Sequence, residues 1–228
     1  MPEPERDGRN ENWAVHLERE RARYADGEAR LGDAATADAR QRQLTRLGNA
    51  AGGAGLALLM EGQPAEAVAW FERAAGRYRE SFADAPPGSW GRPIGAIKSL
   101  VLAGDWAGAE DAARWALGEG AAKAESPIGR YAAALALLVL GRDEEARSHA
   151  DAIRLHDDFP QAVGAALAFI SSRDVIGYTD AVEAVLESFE RRDEYLEDMP
   201  VADTVIVLQA LAARRDLAAD LESSILPS

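Results

Sequence analysis

The sequence contains no cysteine, only three histidines and only two lysines among its 228 residues. The absence of cysteine excludes disulfides, thiolate catalysis and cysteine-ligated metal centres. No apolar run reaches the roughly 18 uncharged residues that a membrane-spanning helix needs. The N-terminal stretch MPEPERDGRNENW also lacks the apolar segment of a signal peptide. We therefore expect a cytoplasmic protein that does not enter a membrane.

Basic residues are scarce relative to acidic ones, 25 against 39, which gives a net charge of −14. The excess is concentrated in residues 174–222, where thirteen acidic and four basic residues leave a charge of −9. Such a surface repels nucleic-acid phosphates and anionic membranes, so the sequence predicts neither as a partner. It favours a basic protein partner, although a high-salt host would explain the same acidity.

Helical periodicity runs along most of the chain. Val68, Phe71, Ala75, Tyr78 and Phe82 recur at intervals of three and four, as on one face of an amphipathic helix. No stretch alternates for long with the period of two that indicates a strand. The pattern predicts an all-α chain of about ten helices. The last helix, VADTVIVLQALAARR, is apolar on nearly every face, so we expect it to be buried. If its own chain leaves it uncovered, we expect the protein to form a homodimer through it.

Three helix pairs share one template. In each pair an apolar helix ends at a glycine, and small or apolar residues follow at the fifth, ninth and twelfth positions after it. The glycines and their followers are Gly62 with Ala67, Phe71 and Ala74; Gly104 with Ala109, Ala113 and Ala116; and Gly141 with Ala146, Ala150 and Ile153. A fourth, weaker copy is predicted around Tyr178 and Ala181, with its turn glycine displaced to Gly177.

This template resembles the tetratricopeptide repeat, a unit of about 34 residues made of two antiparallel helices. In the first copy, the family's small and bulky positions are occupied by Gly55, Leu58, Ala67, Phe71 and Ala74. The resemblance covers roughly residues 48–153 and departs from the family in lacking its early tryptophan and its terminal proline. It implies stacked antiparallel helical hairpins, an α-solenoid, over residues 48–228. Residues 1–47 are expected to be an N-terminal helical segment that packs on this array within the same continuous domain.

The resemblance also implies a function. Helical-hairpin arrays bind peptides or proteins in a concave groove, so we expect a non-enzymatic protein-binding module that needs no cofactor. The residues expected to contact the partner lie on the first helices of the pairs, in the Pro-rich loop and in an acidic cluster: Arg92, Lys98, Arg130 and Tyr131; Trp90; and Asp193, Glu194, Glu197 and Asp198.

Two alternatives remain open. The acidic C-terminal third is similar in character to that of the helical immunity protein 49 family, which would imply neutralisation of a cognate toxin through an acidic surface. An enzyme or metal-binding protein with a dispersed site is the other alternative, with Glu145, His149 and His156 on one helix face as its candidate residues. Two histidines seven residues apart do not match the spacing of a zinc helix.

The stretch GNAAGGAGLALLMEG, residues 48–62, has the glycine content of a phosphate-binding loop but neither its lysine nor a preceding strand. It is therefore interpreted as a helix against which other elements pack closely. Gly52 and Gly53 each cost about 1 kcal/mol relative to alanine inside a helix. Either the helix breaks there, or a neighbour lies close enough to require both glycines.

Overall fold

The computed structural model describes residues 12–228, apart from the side chain of Leu196. Within these residues the regular structure is entirely helical, which confirms the predicted all-α class. The α-helices are α1 (Trp13–Leu31), α2 (Ala37–Met60), α3 (Pro64–Phe82), α4 (Gly91–Leu102), α5 (Trp106–Gly118), α6 (Pro127–Val139), α7 (Asp143–Ile153), α8 (Gln161–Ser172), α9 (Val175–Glu190) and α10 (Asp203–Ala213). Two short 3-10 turns, Ala121–Lys123 and Leu196–Asp198, complete the set.

From α1 to α9, each helix packs mainly against the next one along the chain, and α10 turns back onto α4, α8 and α9. The helix α2 runs without interruption through residue 47, where the N-terminal segment was expected to meet the array. The two predicted parts are therefore joined by a continuous helix. Regular stacking of the hairpins into a solenoid stays a prediction.

The predicted helix-ending glycines have the conformation that the template requires. Gly62, Gly104 and Gly141 have φ angles of +73°, +71° and +71°. At the first of them, the amide of Gly62 donates to the carbonyl of Leu59 (3.0 Å), and that of Gln63 donates to the carbonyl of Leu58 (2.8 Å). The same pair of hydrogen bonds recurs at the other two glycines. This is the Schellman arrangement, in which a left-handed residue satisfies the last carbonyls of a helix.

A fourth helix pair, α8 and α9, ends its first helix in the same way, but its left-handed residue is Arg173, with φ of +56°. The prediction of Gly177 as the turn residue is therefore wrong, because Gly177 lies inside α9. Counted from Arg173, the fifth, ninth and twelfth positions are Tyr178, Val182 and Val185, all almost completely buried. Tyr178 was expected in this copy, whereas Val182 takes the place given to Ala181.

The second helices of the first three pairs bury the predicted template residues, each with 1% or less of its surface exposed. The last helix, α10, is also buried, through Val205, Val207, Leu208, Leu211 and Ala212. A homodimer was expected only if this apolar helix were left uncovered, and the chain itself covers it.

The glycine-rich stretch forms one unbroken helix, the second half of α2. A Cβ atom at Gly55 would lie 2.6 Å from the ring of Phe71, and one at Gly48 would lie 2.9 Å from the ring of Tyr78. At Gly53 the neighbour is the buried Glu20, at 3.0 Å. A Cβ at Gly52 meets nothing within 4 Å. Close packing therefore accounts for three of these glycines and leaves Gly52 unexplained.

Candidate functional site

A cavity of about 540 Å³ lies between the N-terminal hairpins and the C-terminal part of the chain. Helices α2, α4, α6 and α8, the end of α9 and the start of α10 all contribute to its wall. Gly52 belongs to this wall, so the glycine without a packing neighbour faces the cavity. Aromatic rings make up much of the apolar lining: Phe71, Tyr78, Tyr131, Phe159, Phe189 and Tyr195.

One side of the cavity is closed by residues 191–202, the segment between α9 and α10. The guanidinium of Arg19 on α1 donates to the backbone carbonyls of Glu197 (2.8 Å) and Asp198 (3.1 Å). The Glu197 carboxylate pairs with Arg23 and accepts a hydrogen bond of 2.9 Å from the Asn49 amide. The N-terminal helices thus hold a segment that lies about 150 to 180 positions later in the sequence.

Lys98 on α4 reaches into this cavity and forms an ion pair with Asp203 at 2.6 Å. Its ammonium group also donates to the hydroxyl of Thr204 at 3.0 Å. Burial by itself lowers the pKa of Lys98, but the carboxylate of Asp203 outweighs it and the pKa is raised. Lys98 is therefore charged at neutral pH, although Arg192 acts in the opposite direction.

Two tyrosines place hydroxyl groups in the same space. Tyr78, whose ring fits between Gly48 and Gly95, donates to the side-chain oxygen of Asn49 at 2.9 Å. Within the part of the chain that the structure describes, the hydroxyl of Tyr131 has no hydrogen-bond partner. Burial raises the pKa of both groups. Both tyrosines are therefore neutral donors at physiological pH.

Two arginines also line the cavity without a carboxylate partner among residues 12–228. Arg92 donates to the side-chain oxygen of Gln41, and its buried Nε has no partner among those residues. Burial lowers the pKa of Arg92. The guanidinium of Arg192 lies over the ring of Phe189, 3.6 Å from its centroid. Both groups retain N–H donors that a ligand could use.

Four of the predicted partner-binding residues come together here: Arg92, Lys98, Tyr131 and Glu197. Asp193 and Glu194 are exposed outside the cavity, and Asp198 contributes its backbone carbonyl rather than its carboxylate. Arg130 lies outside the wall and donates to the carbonyl of Glu125.

Trp90 was expected as a contact residue in the Pro-rich loop. The structure instead packs its ring against the core, beside Phe82 and next to Gly129, where a side chain would collide with it. The space left by Gly129 accounts for this placement.

Glu145, His149 and His156, the candidate residues for a metal or acid–base site, do not form a metal-binding group. The Glu145 carboxylate pairs with Arg142 at 2.6 Å, and this hydrogen bond lowers its pKa. Burial lowers the pKa of His149, and Arg130 adds to that effect. His156 lies 4.0 Å from Asp158. Among residues 12–228 there is no group of three or more side chains arranged to hold a metal ion.

Sequence reasoning missed several residues of the cavity, notably Asn49, Tyr78, Arg192 and Asp203. None belongs to a motif, because the cavity joins elements that are far apart in the chain. The one signal for the cavity was Gly52, a glycine that destabilises its helix relative to alanine and that no close-packed neighbour requires.

No protein-family model matches the chain, and neither the curated proteins nor the solved structures gave a significant match. Helices long and apolar enough to span a bilayer are also lacking among the described residues.

Proposed function

We propose that this chain is a non-enzymatic binding protein whose inner cavity receives a short segment of a partner protein or a peptide. The observation that carries this proposal is the cavity itself. Its volume of about 540 Å³ falls within the range of ligand sites, and aromatic walls with a few convergent polar groups are the usual composition of such sites.

The 191–202 segment limits the form of the ligand. An open array groove would accept a long helix or an extended strand, but here Met199 and Val201 are buried against the N-terminal hairpins and occupy part of that surface. A partner would therefore insert a short apolar segment or a chain end.

Filling the cavity from Gly52 tests the proposal. Gly52→Leu places a side chain where no atom lies within 4 Å of the new Cβ, so the fold should tolerate it. Gly76→Leu is the matched control, because Gly76 is also a helical glycine with open space around it but lies outside the cavity. Peptides selected by display on the wild-type protein should bind the Gly76→Leu variant and lose affinity for the Gly52→Leu variant.

Equal binding to both variants would contradict the proposal, as would a selection that enriches no peptide. Circular dichroism and thermal unfolding of both variants show whether the fold is retained.

A second function is favoured by one observation, the exposure of Asp193 and Glu194, which have no ion-pair partner among the described residues. A basic partner, such as the toxin that an immunity protein would neutralise, could bind this acidic surface. Binding of that kind should weaken with salt and with Asp193→Asn/Glu194→Gln, and it should be unaffected by Gly52→Leu.

A further inference from the structure

The charge of the cavity is opposite in sign to that of the protein. Three cationic side chains and two carboxylates line it, and both carboxylates are already bonded within the chain: Glu197 to Arg23 and Asn49, and Asp203 to Lys98. The wall therefore carries a net positive charge in a chain whose overall charge is −14.

Part of this positive charge is concentrated in one corner. Lys98, Tyr131, Arg192 and Asp203 all line the cavity, where Lys98 pairs with Asp203 at 2.6 Å and lies within electrostatic range of Tyr131 and Arg192. Asp203 offsets only one of the two cations. The other cation, Arg192, is partly open to solvent and has no ion-pair partner among the described residues, and the Tyr131 hydroxyl on the same cavity wall is an unused donor.

We propose that this corner, formed by Lys98, Tyr131 and Arg192, binds an anionic group of carboxylate size on a ligand with an apolar body. The inference rests on the proposed function, since it assigns the ligand chemistry of the same cavity.

The donors available match a carboxylate. An ammonium group has three N–H donors, and Lys98 uses two of them, on Asp203 and Thr204. One donor remains on Lys98, together with the Tyr131 hydroxyl and the edge of the Arg192 guanidinium. A carboxylate accepts about four hydrogen bonds and can satisfy all three groups. Hydrogen bonds between charged groups are roughly twice as strong as those between neutral groups.

The rest of the wall explains the apolar body. Phe71, Leu56 and Leu102 line the cavity, together with Met199 and Val201 of the closing segment. Burying an apolar group against them contributes about 25 cal/mol for each Å² removed from water. The ligand could be a peptide with its C-terminal carboxylate or a small organic acid, because both present the same chemistry.

Matched acid and amide probes test this assignment. The probes are 4-phenylbutanoate against 4-phenylbutanamide, and the acetylated tripeptide Ala-Val-Phe with a free or an amidated C-terminus. Binding to the full chain is followed by ¹H–¹⁵N NMR of the Gly52 and Gly95 amides and of the Arg192 side chain. We expect the acids to shift these signals and to bind about tenfold or more tightly than the amides, the ratio that one charge-assisted hydrogen bond supplies.

Arg192→Gln should reduce acid binding about tenfold and leave amide binding unchanged. Arg191→Gln is the control, since Arg191 is the preceding arginine but pairs with Glu187 on the surface. Tyr131→Phe should give a smaller loss, again confined to the acids. Tighter binding of the peptide acid than of phenylbutanoate would identify a chain end as the ligand. The reverse order would identify a small organic acid and would overturn the peptide-binding function proposed above.

Two results would overturn the anion site while leaving the cavity as a binding site. One is equal affinity for acids and amides, and the other is an Arg192→Gln variant that binds acids as tightly as the wild type does. If no probe binds but display-selected peptides still distinguish Gly52→Leu from Gly76→Leu, the anion site falls and the proposed function stands. If neither probes nor peptides bind, both fall.

Discussion

Lys98 on α4 and Asp203 in the first turn of α10 form an ion pair of 2.6 Å across 105 positions of sequence. The side chain of Lys98 is 15% exposed and that of Asp203 is 31% exposed, so the pair is screened less than a surface pair. It connects the C-terminal helix to the middle of the chain at the edge of the cavity. Lys98 therefore has a structural partner in addition to the ligand role proposed for it.

Replacing one member of this pair should destabilise the fold. Lys98→Met leaves the Asp203 carboxylate without its cation, and we expect a loss of about 1–3 kcal/mol in the free energy of unfolding, below the value for fully buried pairs because Asp203 is partly exposed. Urea denaturation measures this loss. In a double-mutant cycle with Asp203→Asn, the double variant should lose less free energy of unfolding than the two single variants lose together. Strict additivity would show that the two side chains do not interact.

The sequence predicted the features of the fold that depend on local pattern. Helical periodicity indicated the all-α class, and the template indicated that Gly62, Gly104 and Gly141 end helices in a left-handed conformation. These predictions succeeded because each depends on residues that lie within about one helix pair of one another in the sequence. The fourth turn was missed because Arg173 adopts a conformation that a side chain makes costly, so no glycine marks it.

The site was predictable only in part. Their position on the first helices of hairpins predicts contacts for Arg92, Lys98, Arg130 and Tyr131. The structure places the first two and Tyr131 in the cavity wall and Arg130 outside it. Asp203 and Arg192 could not be chosen in that way, because the path of residues 191–202 depends on contacts such as Arg19 with Glu197, and no local pattern specifies those contacts.

Alanine substitutions three residues apart in α2 should have opposite effects. Gly52→Ala replaces a helical glycine with a better helix former, and the new methyl group meets no atom within 4 Å. We therefore expect a gain of about 1 kcal/mol in stability. Gly55→Ala places a methyl group 2.6 Å from the buried ring of Phe71, and we expect a loss of about 1–3 kcal/mol.

Gly76→Ala serves as the control for the first of these substitutions, since its surroundings are equally open. Chemical denaturation of the three variants provides the comparison. A stabilising Gly55→Ala would show that Phe71 can move aside, contrary to the close contact described above.

The left-handed arginine offers a stabilising substitution. Arg173 has φ of +56°, whereas the equivalent residue of the first three pairs is glycine. A non-glycine residue in this region costs about 1 kcal/mol, so Arg173→Gly should stabilise the chain by about that amount. The lost contact with Asp143 is long, at 3.9 Å, and the Arg173 side chain that makes it is 68% exposed. Thermal unfolding should show the increase. Ser172→Gly, at the last residue of α8, should show a decrease, because it removes the hydrogen bond that the Ser172 hydroxyl donates to the Ala168 carbonyl at 3.0 Å.

Alkaline pH should destabilise the protein through its buried tyrosines. Burial raises the pKa of Tyr78, Tyr131 and Tyr178, three of the five tyrosines, while unfolded tyrosine loses its proton near about pH 10. Above that pH the unfolded chain binds fewer protons than the folded one, so the free energy of unfolding falls as pH rises. The raised pKa of Lys98 acts in the same direction, with its share present below about pH 10.4 and lost above it.

Tyrosinate absorbance and circular dichroism, followed together from neutral to alkaline pH, provide the measurement. The three buried tyrosines should ionise only together with the loss of helical signal. Tyr178→Phe removes one titrating group and the hydrogen bond that its hydroxyl donates to Gln209 at 2.7 Å. That variant should be less stable than the wild type at neutral pH, because the half-buried Gln209 oxygen loses one of its two donors and keeps only the Ala219 amide. Its stability should fall less steeply with pH. Ionisation of all five tyrosines while the helical signal persists would mean that solvent reaches these hydroxyl groups in the folded chain.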